Sequence, residues 1–166
     1  MLPEPIPSSF LLKKTDLSLA ELRWAFDNGL IGAQSVVDVA AAMVAKGDDS
    51  VHLVHLAGIL HSELPEVRGI LESIPIEDAE LTRRKWVWLV LSWVYERRHN
   101  ENDVFDTIDS LYADLGYPEE MVPFGPYAPV YQAKGDPTEM REQVLGEWRR
   151  YLERGEELFG AVESHT

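Results

Sequence analysis

The chain has 166 residues, no cysteine, and 29 acidic against 15 basic residues, a formal net charge of -14. One well-cored domain fits that length and two comfortable ones do not, while the missing cysteines exclude disulfides and thiolate chemistry. The negative surplus repels nucleic acid and anionic lipid and draws in basic partners.

A hydrophobic share of 45% is ordinary for a globular protein, so a single folded domain over residues 1–166 is expected. Residues 1–15 carry three of the ten prolines and a short Phe10-Leu-Leu12 cluster, which predicts an extended arm pinned by Phe10. The same stretch lacks the basic-then-apolar order of a signal peptide, so a cytoplasmic protein is expected. Ser18-Leu-Ala-Glu21 has capping-box spacing and starts a helix that buries Leu19, Leu22, either Trp24 or Ala25, and Phe26 and ends at Asn28-Gly29. A second helix runs from about Ala33 to Lys46, with Val36, Val37, Ala40, Met43 and Val44 inward and Gly47 as its stop. Asp48-Asp49-Ser50 offers capping oxygens for a third helix over about Val51 to Ser62. Leu64-Pro65 opens a short fourth helix, and Ile74-Pro75 breaks it.

The fifth helix, about residues 77–98, contains Trp86-Val-Trp-Leu-Val-Leu-Ser-Trp-Val-Tyr95, in which nine of ten residues are apolar or aromatic. A helix with no polar face is buried on every side, so this one is the expected centre of the fold. Its apolar run is about half the roughly 20 residues that span a bilayer, and no membrane association is expected. Glu77, Asp78 and Glu80 precede it and Arg97, Arg98 and His99 follow it, the charge order that the helix dipole favours. Asn102-Asp103 caps a sixth helix that reaches Leu115 and stops at Gly116, with Val104, Phe105, Ile108, Leu111, Tyr112 and Leu115 apolar. Residues 117–135 form a proline-aromatic loop with a turn around Glu119 to Val122. Asp136-Pro137 opens a last helix through Met140, Val144, Leu145, Trp148, Tyr151 and Leu152, which Gly155 weakens, leaving 156–166 as a frayed tail. No alternating run calls for a strand. The fold class is therefore all-α, about seven helices in antiparallel pairs around the central one, in the manner of a short solenoid.

Charge is distributed unevenly. Residues 99–140 hold nine acids and one base, Lys134, whereas five bases fall within 83–98. Asp103, Asp106 and Asp109 recur at i, i+3 and i+6 and form a row on the sixth helix, followed by Asp114, Glu119 and Glu120. Three readings are open for them: a solvated face with acids favouring a helix N-terminus, a docking ridge for a cationic protein, and a divalent-cation site. Tyr117, Phe124, Tyr127 and Tyr131 lie beside the row in the stiff loop. They either cover the core or add an apolar, hydrogen-bonding surface to an interface. The partner-binding candidates are Asp103, Asp106, Asp109, Asp114, Tyr117, Glu119, Glu120 and Tyr127. His52 and His55 have zinc-chelating spacing, but no further ligand lies near them in sequence. No phosphate-binding glycine loop, dinucleotide signature or nucleophile elbow is present, so no cofactor, metal or catalytic residue is assigned.

Four segments together, Glu21-Leu-Arg-Trp-Ala-Phe-Asp-Asn-Gly-Leu-Ile31, Lys85-Trp-Val-Trp-Leu, Ile108-x-x-Leu-Tyr-Ala-Asp-Leu-Gly-Tyr-Pro118 and Trp148-x-x-Tyr-Leu152, give the chain a familiar order and spacing. It resembles, over most of residues 16–153, a bacterial family catalogued as a domain of unknown function and associated with immunity proteins of polymorphic or contact-dependent toxin systems. The resemblance implies a helical cytoplasmic protein, not an enzyme, that neutralises a cognate toxin by binding it. An acidic inhibitor suits a basic nuclease toxin, whose charge serves phosphate binding. The alternatives are a helical adaptor or scaffold module and, third, a metal-dependent hydrolase.

Overall fold

The computed structural model describes residues 4–100, 103–129 and 135–161, and among these the secondary structure is entirely helical. The long apolar run of the sequence lies in α6 (Ala79–Glu96). Every residue from Trp86 to Ser92 is at most 2% exposed, so this stretch of the helix is enclosed on all sides, as its all-round apolar sequence predicts. Its start is set by Asp78, whose Oδ1 accepts from the Leu81 amide at 3.2 Å. Asp78 takes a positive φ of 33° there.

Packing divides the described residues into two compact units, one of residues 4–90 with 159–161 and one of the described residues between 91 and 158. The first contains α1 (Ser8–Lys14), α2 (Leu19–Asp27), α3 (Ala33–Ala45), α4 (Val51–Ala57), α5 (Glu66–Glu72) and the first part of α6. Here α3 packs on α1, α2, α4 and α5 through the buried Val36, Val37, Val39 and Ala40. The α2 start is the expected capping box, with Ser18 and Glu21 reciprocally bonded at 2.8 and 3.2 Å. Trp86 of α6 is fully buried and donates its indole N–H to the Glu21 carbonyl at 2.9 Å. Lys85 sets its ammonium 2.9 Å from the Glu21 carboxylate. One short segment of α2 therefore caps a helix, anchors a tryptophan and pairs a cation.

Four sequence expectations are revised. The arm expected over residues 1–15 is helical from Ser8 to Lys14, because its prolines all precede the helix and Pro7 itself occupies the N-cap. Ile6 and Leu11 are fully buried, the Ile6 amide donates to the Leu30 carbonyl at 3.1 Å, and Lys13 and Lys14 close the last turn favourably for the dipole. The third helix stops at Ala57, and residues 61–63 form a separate 3-10 turn. Ser50 precedes α4 without making a side-chain cap, although its own amide bonds Asp48. At the other end, α8 (Pro137–Phe159) passes straight through Gly155, so residues 156–159 are helix and not a frayed tail. A single helical glycine costs about 1 kcal/mol, and this one is buried. The chain end is also held: Thr15 Oγ1 donates to the Phe159 carbonyl at 2.6 Å, Ala161 N donates to Lys14 O at 3.1 Å, and Phe159 packs 5.8 Å from Trp88.

The second unit contains the end of α6, α7 (Val104–Asp114), a 3-10 turn at Glu119–Met121 and most of α8. Trp148 organises it. Phe124 stacks on that ring at 5.8 Å with planes 3° apart, Tyr95 meets it edge-on at 5.2 Å, and Phe124 also contacts Tyr151 at 5.6 Å. Ile108, Met121, Phe124 and Val144 of this unit are completely buried.

Candidate partner-binding face on α7

The α7 sequence sorts its residues cleanly between two sides. Val104, Ile108 and Leu111 are buried, whereas Asp103, Asp106 and Asp109 are exposed. Asp103 is the N-cap, its Oδ1 accepting from the Phe105 amide at 2.9 Å, so part of the acidic row is explained by helix capping. Asp106 lies in the first turn, where the dipole favours a carboxylate. Asp109 has no such compensation. Lost hydration against the helix, with repulsion from Asp106 and then Asp103, raises its carboxyl above the ordinary aspartate value. The charges of Asp106 and Asp103 thus bear on Asp109, and the three carboxylates line an anionic ridge.

The C-terminal end of α7 is built by backbone chemistry. Gly116 takes φ 77°, where a residue with a Cβ would be strained, and its amide donates to the Ala113 carbonyl at 3.1 Å. The next amide, Tyr117 N, returns to the Tyr112 carbonyl at 2.8 Å. That pair of bonds is a Schellman cap, which brings the side chain after the glycine onto the one in the last helical turn. Tyr117 accordingly meets Tyr112 edge-on at 5.3 Å, and Tyr127 meets the same ring at 6.2 Å from the loop. Tyr117 is itself in the left-handed region, φ 58°, and is 66% exposed; Tyr127 is 81% exposed. Asp114 and Glu119 are exposed on either side of Tyr117 in sequence, and Glu120 is half-buried.

Among the loop aromatics the two sequence readings thus divide by residue. Phe124 is core, Tyr117 and Tyr127 are surface, and Tyr131 lies outside the described residues together with Lys134. Tyr112 was expected only as part of the buried side of α7; its position between the other two rings follows from the Gly116-Tyr117 cap. Val122, 51% exposed, adds an aliphatic patch to the same loop. Among the described residues no group of three His, Asp or Glu side chains is placed to hold a metal ion. His52, His55 and His61 are all exposed. No described helix is long and apolar enough to cross a membrane.

The resulting arrangement is a row of carboxylates leading to Tyr112, against which Tyr117 and Tyr127 both pack. It can attract a cation at long range and hold an amphipathic or planar cationic group at short range. Residues 8–156 match a bacterial family described as an uncharacterized protein conserved in bacteria (DUF2247). No curated protein and no solved structure matches the chain.

Proposed function

The chain belongs to that bacterial family, and from its anionic, tyrosine-bearing α7 face we propose that it is a cytoplasmic immunity protein, not an enzyme, which binds and neutralises a cognate basic toxin such as a nuclease. The observation that carries the reading is the outward placement of Asp106, Asp109, Tyr117 and Tyr127 in one region. Acids alone are commonplace on a protein of net charge -14. Exposed tyrosines joined to them are not, because two tyrosines 66% and 81% exposed leave apolar area unburied that a partner would cover. A basic toxin would be steered to the ridge and arrive quickly, and occupation of its phosphate-binding surface would block catalysis.

Co-expression with the product of the adjacent gene tests this. The expected result is co-purification and rescue of growth when that product is toxic; no complex and no rescue with any neighbouring toxin would remove the proposal. A second reading, a helical adaptor, draws on α4. That helix buries Leu53 and Leu56 but leaves Val51 80% and Val54 49% exposed, with Leu60 beyond it at 65%. Loss of binding to a non-toxin partner on Val51→Asp, with no toxin encoded nearby, would favour this reading.

A further inference from the structure

We propose that Tyr112, Tyr117 and Tyr127 form a receptor for an arginine side chain of the partner protein, a reading that rests on the α7 face being the docking surface. The first support is how this chain treats its other rings. Arg68 lies over Phe26 at 4.9 Å, Arg97 over Trp93 at 4.6 Å, Arg98 over Tyr95 at 4.1 Å and Lys14 over Trp88 at 5.5 Å. Among the described residues no Lys or Arg covers Tyr112, Tyr117 or Tyr127. Among the described residues Tyr117 and Tyr127 are the most exposed aromatic side chains, and their cluster offers ring faces that no cation of this chain occupies.

The second support is charge complementarity. Asp109 is one helical turn before Tyr112 and shares its side of α7, while Asp114 and Glu119 bracket Tyr117 in the chain. A cation seated on these rings would meet their negative faces, with acidic residues close by in the chain to offset its charge. Guanidinium suits this place better than ammonium. It is planar, stacks on a ring while keeping its N–H donors free for carboxylates, and loses less hydration energy on leaving water. The Schellman cap and the edge-on contacts fix the rings before binding, so little side-chain freedom remains to be lost.

The test uses the whole protein and three synthetic hexapeptides, Gly-Arg repeated three times, its lysine version and its citrulline version. Binding is followed by the ring resonances of the tyrosines. The arginine peptide is expected to shift the resonances of Tyr112, Tyr117 and Tyr127, the lysine peptide to do so more weakly and the citrulline peptide not at all. Tyr117→Leu and Tyr127→Leu, both at exposed positions, should each weaken the arginine peptide roughly 2- to 5-fold while the far-UV spectrum stays the same. Unshifted tyrosine rings, or unchanged affinity in both leucine variants, would overturn the proposal. So would a self-association that Tyr127→Leu abolishes, because the occupant would then be a second copy of the chain. Toxin rescue that is indifferent to both leucine variants would leave the immunity reading standing and sink this one; arginine binding at the rings without any rescue would do the reverse.

Discussion

Replacing Trp88 by alanine empties one of the two fully buried tryptophan sites of α6. Trp88 is 0% exposed, with Phe159 5.8 Å from it and the Lys14 ammonium 5.5 Å over its face. A buried tryptophan hides roughly 150–250 Å². At about 25 cal/mol per Å² this is worth about 4–6 kcal/mol. The methyl that alanine retains returns about 1 kcal/mol, leaving a loss of about 3–5 kcal/mol, within the usual span for emptying a core tryptophan site. With a urea slope of about 2 kcal/mol/M, the unfolding midpoint should fall by roughly 1.5–2.5 M. Far-UV circular dichroism reads this without relying on tryptophan emission. Trp93→Ala is the internal comparison, since Trp93 is only half-buried with Arg97 over it, and it should lose less than half as much. A midpoint lowered by less than about 0.5 M in Trp88→Ala, at unchanged slope, would show that the indole is not enclosed.

Three further outcomes are expected. Asp109→Asn should raise stability at pH 7 by a few tenths of a kcal/mol, because it removes like-charge repulsion along α7. The Asp109 carboxyl is raised in the folded state, so the native protein holds that proton more tightly and loses stability as pH rises from the ordinary aspartate range through the raised value. The advantage of the asparagine should therefore be full at neutral pH and vanish at pH about 3, and thermal melts at both values would expose a wrong sign. Gly125→Ala would place a Cβ 2.7 Å from the Met121 carbonyl oxygen, a backbone atom that cannot swing aside. A loss of about 1–3 kcal/mol in urea is expected, and an unaffected midpoint would mean that the turn next to Phe124 yields freely. Ser18→Ala breaks the capping box of α2 and should cost about 1 kcal/mol, which a mutant with wild-type stability would contradict.

Three helix stops were readable in the sequence. The stops expected at Gly29, Gly47 and Gly116 all coincide with glycines of positive φ, because the demand is local and only a residue without Cβ meets it cheaply. The enclosed helix was equally readable, since a run such as Trp86 to Tyr95 offers water no acceptable side. Local rules were weaker where distant contacts decide. Ser8–Lys14 is too short to hold as a helix alone; it depends on tertiary contacts such as buried Ile6 and Leu11 and the bond from Ser8 Oγ to Asp38. Likewise, Phe124 and Tyr127 sit in the same proline-rich stretch with no periodicity to separate them, and only the stacking of Phe124 on Trp148 puts one inside. The acidic row was legible as a pattern, while its continuation into Tyr112 and the two rings packed against it required the chain reversal at Gly116.

The docking claim is tested most directly by the association rate between this protein and whichever adjacent-gene product co-purifies with it, measured by stopped flow at about 0.05 M and about 0.5 M salt. Asp106→Lys with Asp109→Lys should fold normally, associate markedly more slowly at low salt and match the wild type at high salt, where exposed charges are screened. Equal rates at low salt would contradict a role for the α7 ridge in capturing a basic partner.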